Sequence, residues 1–163
     1  YTLVGDGCLQ EGVSAEASSL AGHLKLGKLI AFYDSNKITI DGNTDLSFTE
    51  DVAKRYESYG WQVLRGDMYD FAGIAGLVAA AKAETAKPSL IILTSIIGKG
   101  APNKQGTHGV HGAPLGADEI AAARSALGIP SDFYVSPEAA EYFAAKRAEW
   151  KAARSAWQAR VPR

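Results

Sequence analysis

An α/β fold with a doubly wound, mostly parallel sheet and helices on both faces is what this sequence predicts, and three observations lead there. Strand-like apolar runs alternate with segments of helical spacing along the whole chain. The run LIAFY, Leu29 to Tyr33, is apolar on both faces, as a buried parallel strand is. Gly, Pro and Asp/Asn clusters separate the runs.

The elements follow in order. Thr2 to Gly5 is a short apolar strand, broken by Gly5-Asp6-Gly7. Glycines lift the φ limits of the backbone, so this ending reads as a site rather than a plain strand terminus. From Val13, apolar residues at Val13, Ala17, Leu20, Ala21 and Leu24 share one helix face. Gly27 then suits the C′ position that stops a helix. Leu29 to Tyr33 is the second strand and ends in Asp34-Ser35-Asn36. Asp41-Gly42-Asn43 signals a turn. Ser47 to Glu50 (SFTE) fits a capping box ahead of a helix from Asp51 to Tyr59. Trp61 to Leu64 is a third strand. Asp70 caps a helix running through Ala86, and Pro88 closes it. Leu90 to Ile97 (LIILTSII) is the fourth and most apolar strand. A loop rich in glycine follows, from Gly98 to Gly116. Helices over 118–127 and 138–160 finish the chain.

Composition narrows the function. Lys plus Arg number 17 against 18 Asp plus Glu, so no global field favours nucleic acid or an anionic membrane. Neither is expected as a partner. The single cysteine, Cys8, excludes an internal disulfide framework and fits a reducing, cytoplasmic setting. No apolar run approaches the roughly 18 residues of a membrane span. The chain has no signal peptide and begins inside a strand without Met, which reads as part of a longer polypeptide.

In doubly wound sheets, ligands bind beyond the carboxyl ends of the strands. Strand one ends in Asp6 and strand two in Asn36, thirty positions later, about one βαβ unit. A right-handed crossover makes the two strands parallel and brings both oxygens to one edge. Hard divalent cations want oxygen ligands, and Mg²⁺ takes few from protein and the rest from phosphates. One carboxylate, one amide oxygen and a backbone carbonyl near Ile38 would hold a metal with room for a diphosphate. Gly7 would let the diphosphate approach the backbone, and the helix from Val13 would add its positive end.

GDG followed by Asn about thirty residues on is the diphosphate- and metal-binding motif of thiamine diphosphate enzymes. The longer blocks GDGCLQEGVSAEASSLAGHLKLGKLIAFYDSNKITIDG, FTEDVAKRYESYGW and GKGAPNKQGTHGVHGAPLG resemble transketolase in particular, over roughly residues 1 to 135. The resemblance implies the thiamine diphosphate-binding fold, with residues 1–163 forming part of a diphosphate- and metal-binding domain. It implies thiamine diphosphate and Mg²⁺, or Ca²⁺ or another divalent ion, as cofactors. Asp6 and Asn36 would be side-chain metal ligands and Ile38 a carbonyl ligand. Gly7 would bind the diphosphate through its main chain. His111 would face both the diphosphate and the sugar, hydrogen-bonding the substrate and assisting proton movement. Glu11 and Glu16 match carboxylates near a dimer interface, so a homodimer is implied. The family reaction, in the pentose phosphate pathway, moves a two-carbon ketol unit from a ketose phosphate to an aldose phosphate. Its substrates are sugar phosphates such as xylulose 5-phosphate and ribose 5-phosphate. The family's upstream histidines, its pyrimidine-binding domain with an activating glutamate, and its C-terminal domain all lie outside residues 1–163. The isolated chain is therefore expected to be inactive.

Plainer readings stand beside these. Asp6 and Asn36 also suit local turns. His108 reads as a surface loop residue, and His108 with His111 lacks the partners of a zinc site. His23 reads as solvated or interfacial. Lys99 sits between glycines, but GxxxxGK[ST] is absent, so it reads as solvated. Cys8 reads as a small packed thiol. Phe143, Trp150 and Trp157 recur every seven residues on a basic helix, a stripe expected to dock on protein rather than on a membrane. Other thiamine diphosphate enzymes (a phosphoketolase, a dihydroxyacetone synthase or a deoxyxylulose-phosphate synthase) and a non-catalytic, flavodoxin-like α/β module remain as alternatives.

Overall fold

The computed structural model describes residues 1–161. The chain divides into two compact units, the first Tyr1–Ala123 and the second from Arg124 onward.

In the first unit, strands β1 (Thr2–Gly5), β2 (Ile30–Ser35), β5 (Gln62–Asp67) and β6 (Ser89–Thr94) form one sheet in the order β1-β2-β6-β5. Every pairing in it is parallel. A separate antiparallel ribbon joins β3 (Ile38–Thr39) and β4 (Gly42–Asn43); its turn is Ile40–Asp41, so Gly42 and Asn43 of the expected turn belong to the strand instead. Helices α1 (Gly12–His23) and α2 (Val52–Ser58) contribute to one core cluster, around Leu9, Ala21, Tyr33, Tyr56, Trp61 and Leu90. Helix α3 (Phe71–Ala83) brings Ile74, Leu77, Val78 and Ala81 to a second cluster with Ile30, Ile91 and Leu93. Alternate residues of β2 and β6 serve the two clusters, as the two faces of a pleated strand require. The doubly wound parallel sheet with helices on both faces is therefore what the chain forms.

Several local expectations are corrected. Of the apolar stripe expected for α1 only Ala21 is buried: Val13 and Leu20 are 69% and 56% exposed, and Ser18, off the stripe, is buried beside Ala21. Small residues win because the helix sits against backbone: a Cβ on Gly22 would land on the Tyr59 carbonyl. Ser18 adds polar bonds, its hydroxyl donating to the Tyr56 hydroxyl (3.0 Å) and its carbonyl accepting from Trp61 Nε1 (2.8 Å). Gly27 is not the helix stop. Lys25 takes the left-handed turn (φ 53°), whereas a Cβ on Gly27 would strike the backbone of Thr85. Asp51, not Ser47, caps α2, accepting from Lys54 N at 3.2 Å. A carboxylate one residue before the helix reaches its first free N–H groups more directly than a hydroxyl five residues before it. Asp70 caps α3 as expected, accepting from Gly73 N at 2.9 Å, but the helix ends at Ala83.

Helix α4 (Ala117–Leu127) runs across the boundary between the units. In the second unit, Arg124 pairs with Asp132, and α5 (Pro137–Gln158) starts with Ser136 accepting from Ala139 N and Pro137 in the first turn. Phe143 and Trp150 meet along α5 in a tilted pair with 6.0 Å between ring centroids, and Lys146 pairs with Glu149. Phe143, Trp150 and Trp157 are exposed, so the aromatic stripe is solvent-facing in this chain. Among the described residues, no helix is long and apolar enough to cross a membrane.

Candidate functional site

The tips of β1 and β2 lie side by side. Gly5 pairs in register with Asp34, so the residues that follow each strand, Asp6 and Asn36, emerge at one edge of the sheet. Asp6 is only 2% exposed. Its Oδ1 accepts from the Tyr33 hydroxyl at 2.6 Å. Its Oδ2 accepts from two successive backbone N–H groups, Asn36 at 3.1 Å and Lys37 at 2.9 Å. Lys37 has φ 65°, a left-handed conformation that costs an L residue about 1 kcal/mol or more. That turn aims both N–H groups at one oxygen, a backbone nest for an anion.

The turn reading of Asp6 is therefore not what the structure contains, because its partners lie on β2 (Tyr33) and just beyond its end (Asn36 and Lys37). The turn reading of Asn36 is realised: its Oδ1 accepts from Ile38 N at 2.9 Å, an Asx turn that starts the β3–β4 ribbon. The same oxygen keeps a second lone pair. Ile38 is buried beside it. Hydrogen bonds thus link Asp6 to Asn36 and Asn36 to Ile38.

The chain after Asp6 is held from the far side. Gly7, Cys8, Leu9 and Gln10 form a 3-10 turn that leads into α1. Arg55 reaches back from α2 to donate to the Leu9 carbonyl at 2.9 Å, and it pairs with Glu50 at 3.1 Å. The Ser47 hydroxyl meets Gln10 Oε1 at 3.2 Å. The glycines of GDG need no unusual backbone: Gly7 has φ −63°. A Cβ on Gly5 or Gly7 would meet nothing within 4 Å, so their value lies in open backbone, not in φ freedom. Cys8 is exposed, which corrects the packed-thiol expectation.

Electrostatics mark this edge. None of the ion pairs among the described residues involves Asp6. A carboxylate this buried has hydrogen bonds but no ion-pair partner among the described residues. Burial first, and then the bond to Asp6, push the Tyr33 phenol well above the ordinary tyrosine range. Tyr33 consequently remains a donor. Tyr33 was missed in the sequence, where it read only as one more apolar residue of LIAFY. A hydroxyl two residues before the strand tip was the available signal.

The donor set fits a hard divalent ion. It offers a carboxylate oxygen, an amide oxygen and carbonyls of an adjacent turn, with accessible backbone at Gly7. Among the described residues, no cluster of three or more His, Cys, Asp or Glu side chains could hold a metal, which leaves this mixed oxygen set as the candidate.

The second predicted part of the site is built differently. Residues 98–116 form a chain of turns with positive φ at Gly98, Gly100, Gly106, Gly112 and Gly116. Tyr69 anchors its start, accepting from Ile96 N at 2.8 Å and donating to Ile96 O at 3.2 Å, with Lys99 Nζ 4.6 Å from its ring centroid. Lys99 is exposed, as expected of a solvated lysine, and rests its ammonium over the Tyr69 ring. Glu119 anchors the middle, accepting from Asn103 N and Nδ2, both at 2.9 Å. Those bonds hold the Glu119 carboxyl below its ordinary range. His108 opens a 3-10 turn (His108–Val110) that His111 follows, and both are exposed. Glu11, Glu16 and His23 are exposed as well.

Comparison with known proteins agrees with this architecture. The family model described as transketolase, thiamine diphosphate binding domain, matches residues 1–163. A transketolase from Treponema pallidum is 53% identical over 99% of this chain. Transketolase 1 of Saccharomyces cerevisiae is 57% identical over 85% of it. The structure of Pichia stipitis transketolase in complex with sedoheptulose 7-phosphate superposes with TM-score 0.89 at 49% identity, covering 96% of this chain and 24% of that one. The chain spans about a quarter of the length of the curated relatives it matches, 26% for the Treponema protein. It belongs to the transketolase family, as a thiamine diphosphate binding domain.

Proposed function

We propose that this chain supplies the metal and diphosphate end of the active site in a transketolase, a transferase acting on sugar phosphates. The observation that carries the reading is Asp6, a buried carboxylate without a protein counter-ion, beside Asn36 at the tips of neighbouring parallel strands. Asp6 and Asn36 would hold a divalent ion, Mg²⁺ or Ca²⁺, through their side chains and Ile38 through its carbonyl. Gly7 would bind the diphosphate through its main chain, where no Cβ stands in the way.

When bound, thiamine diphosphate supplies the carbanion chemistry that carries a two-carbon ketol unit. The chain's own residues bind and orient. The Asn36–Lys37 nest and Tyr33 fix the Asp6 carboxylate before any ligand arrives, so little reorganisation is left at binding. Arg55 fixes the turn that presents Gly7. His111, on the glycine-rich loop, would hydrogen-bond the sugar and move a proton at its hydroxyl. Exposed Glu11 and Glu16 would lie at the interface of a homodimer. The setting would be cytoplasmic, in the pentose phosphate pathway. Among relatives, the Pichia transketolase complex with sedoheptulose 7-phosphate supports sugar phosphates as the substrate class.

The test uses the full-length enzyme. Thiamine diphosphate is titrated with and without Mg²⁺, and products are followed from xylulose 5-phosphate and ribose 5-phosphate. Metal-dependent binding and a two-carbon exchange between the sugars are expected. Binding indifferent to the metal would point to a non-catalytic module. Release of acetyl phosphate, or condensation with pyruvate, would point to a different thiamine diphosphate enzyme.

A further inference from the structure

Asp6 has about four lone-pair positions on its two oxygens. Oδ2 is filled by Asn36 N and Lys37 N. Oδ1 takes one bond, from Tyr33, and keeps one position open. The oxygen with room for a cation is therefore the one that Tyr33 grips. The grip is a short O–H···O⁻ bond, of the charge-assisted kind that fixes geometry as well as adding energy. Tyr33 itself cannot drift. It is 1% exposed, and its ring is packed in the cluster of Leu9, Ala31, Val52, Tyr56 and Leu90.

We propose that Tyr33 is a positioning residue for metal binding: its hydroxyl sets the rotation of the Asp6 carboxylate so that the open lone pair of Oδ1 is presented to the cation. Tyr33 touches neither metal nor substrate in this role and acts through Asp6. The inference rests on the reading of Asp6 as a metal ligand given above. Two backbone bonds to Oδ2 alone leave a carboxylate able to rock about its own axis. The third bond, on the other oxygen, removes that freedom. Partners that orient metal ligands in this way are typically worth 10- to 100-fold in metal affinity.

The test uses Tyr33→Phe in the full-length enzyme. The change deletes one oxygen atom and keeps the ring that packs the core. The readouts are the Mg²⁺ concentration that half-saturates thiamine diphosphate binding, and the melting temperature without ligands. The expected result is a half-saturation point raised about 10-fold or more, with excess Mg²⁺ restoring full cofactor occupancy. A purely structural role would instead lower the ligand-free melting temperature and leave the Mg²⁺ half-saturation point where it was, and that result overturns the proposal. Asp6→Ala run in parallel separates the two ideas. A loss of Mg²⁺ dependence in Asp6→Ala with no shift in Tyr33→Phe overturns the role of Tyr33 and leaves the metal reading standing. No effect in Asp6→Ala overturns both.

Discussion

The strand tips and the glycine-rich loop carry the two halves of one proposed site, and they are built on opposite plans. At the tips, Asp6 is buried and held by bonds that join residues about thirty positions apart. In the loop, His111 is exposed, and most bonds close turns of three to five residues, such as His111 N to His108 O at 2.9 Å. Two longer anchors, Tyr69 to Ile96 and Glu119 to Asn103, fix the loop's start and middle and leave the histidines free. The difference teaches which task each half suits. Holding a charged metal requires a fixed, desolvated ligand. Handling a sugar that enters and leaves requires a reachable side chain.

The largest expected effect is on the rigid half. Asp6→Ala in the full-length enzyme should weaken Mg²⁺-dependent binding of thiamine diphosphate by about 3–5 kcal/mol, the cost of leaving a buried charge without its partner. Isothermal titration with and without Mg²⁺ checks it, and unchanged affinity would break the comparison. Next comes the exposed half. His111→Ala should lower kcat/KM for sugar phosphates about 100-fold, the lower end of a proton-transfer contribution, with the Mg²⁺ half-saturation point unmoved. A shift in that point would mean that the two halves are not separate. Gly7→Ala is smaller and sharper. The ligand-free melting temperature should hold, because the new methyl meets nothing, while cofactor affinity falls roughly 10-fold as the methyl crowds the approaching diphosphate.

The smallest effect concerns pH. Glu119 has a folded pKa below its ordinary value of 4.5, chiefly through the Asn103 side-chain bond. Its stabilisation of the loop is thus fully present above that value and is lost as pH falls through the lowered folded pKa. Protection from hydrogen exchange at Asn103 and its neighbours, taken relative to the intrinsic rate at each pH, should fall below pH 4.5 while protection at Leu90 and Ile91 in the sheet core holds. Uniform loosening would show that the anchor is not local.

Legibility follows the same division. The Asp6–Asn36 pairing was readable because strand length and crossover length fix where two strand tips meet. The helix at Asp70 was readable because a cap is a local event. The buried face of α1 was not, because hydrophobic spacing assumes that large side chains seek the core, and here Gly22 and Ser18 admit a neighbouring backbone instead. Tyr33 escaped for a related reason. A strand apolar on both faces hides the one residue whose hydroxyl, rather than its ring, does the decisive work. The left-handed turn at Lys37 carries no glycine to announce it.

One measurement bears most directly on the central claim that the β1 and β2 tips hold a cation bridging to diphosphate. The full-length enzyme would be crystallised with thiamine diphosphate and Mn²⁺ in place of Mg²⁺, and the metal located by its anomalous scattering. The account predicts a peak about 2.1 Å from Asp6 Oδ1 and from the Asn36 amide oxygen, the contact distance of a small hard cation. A peak elsewhere, with Asp6 bonded only to Tyr33, Asn36 and Lys37, would contradict it.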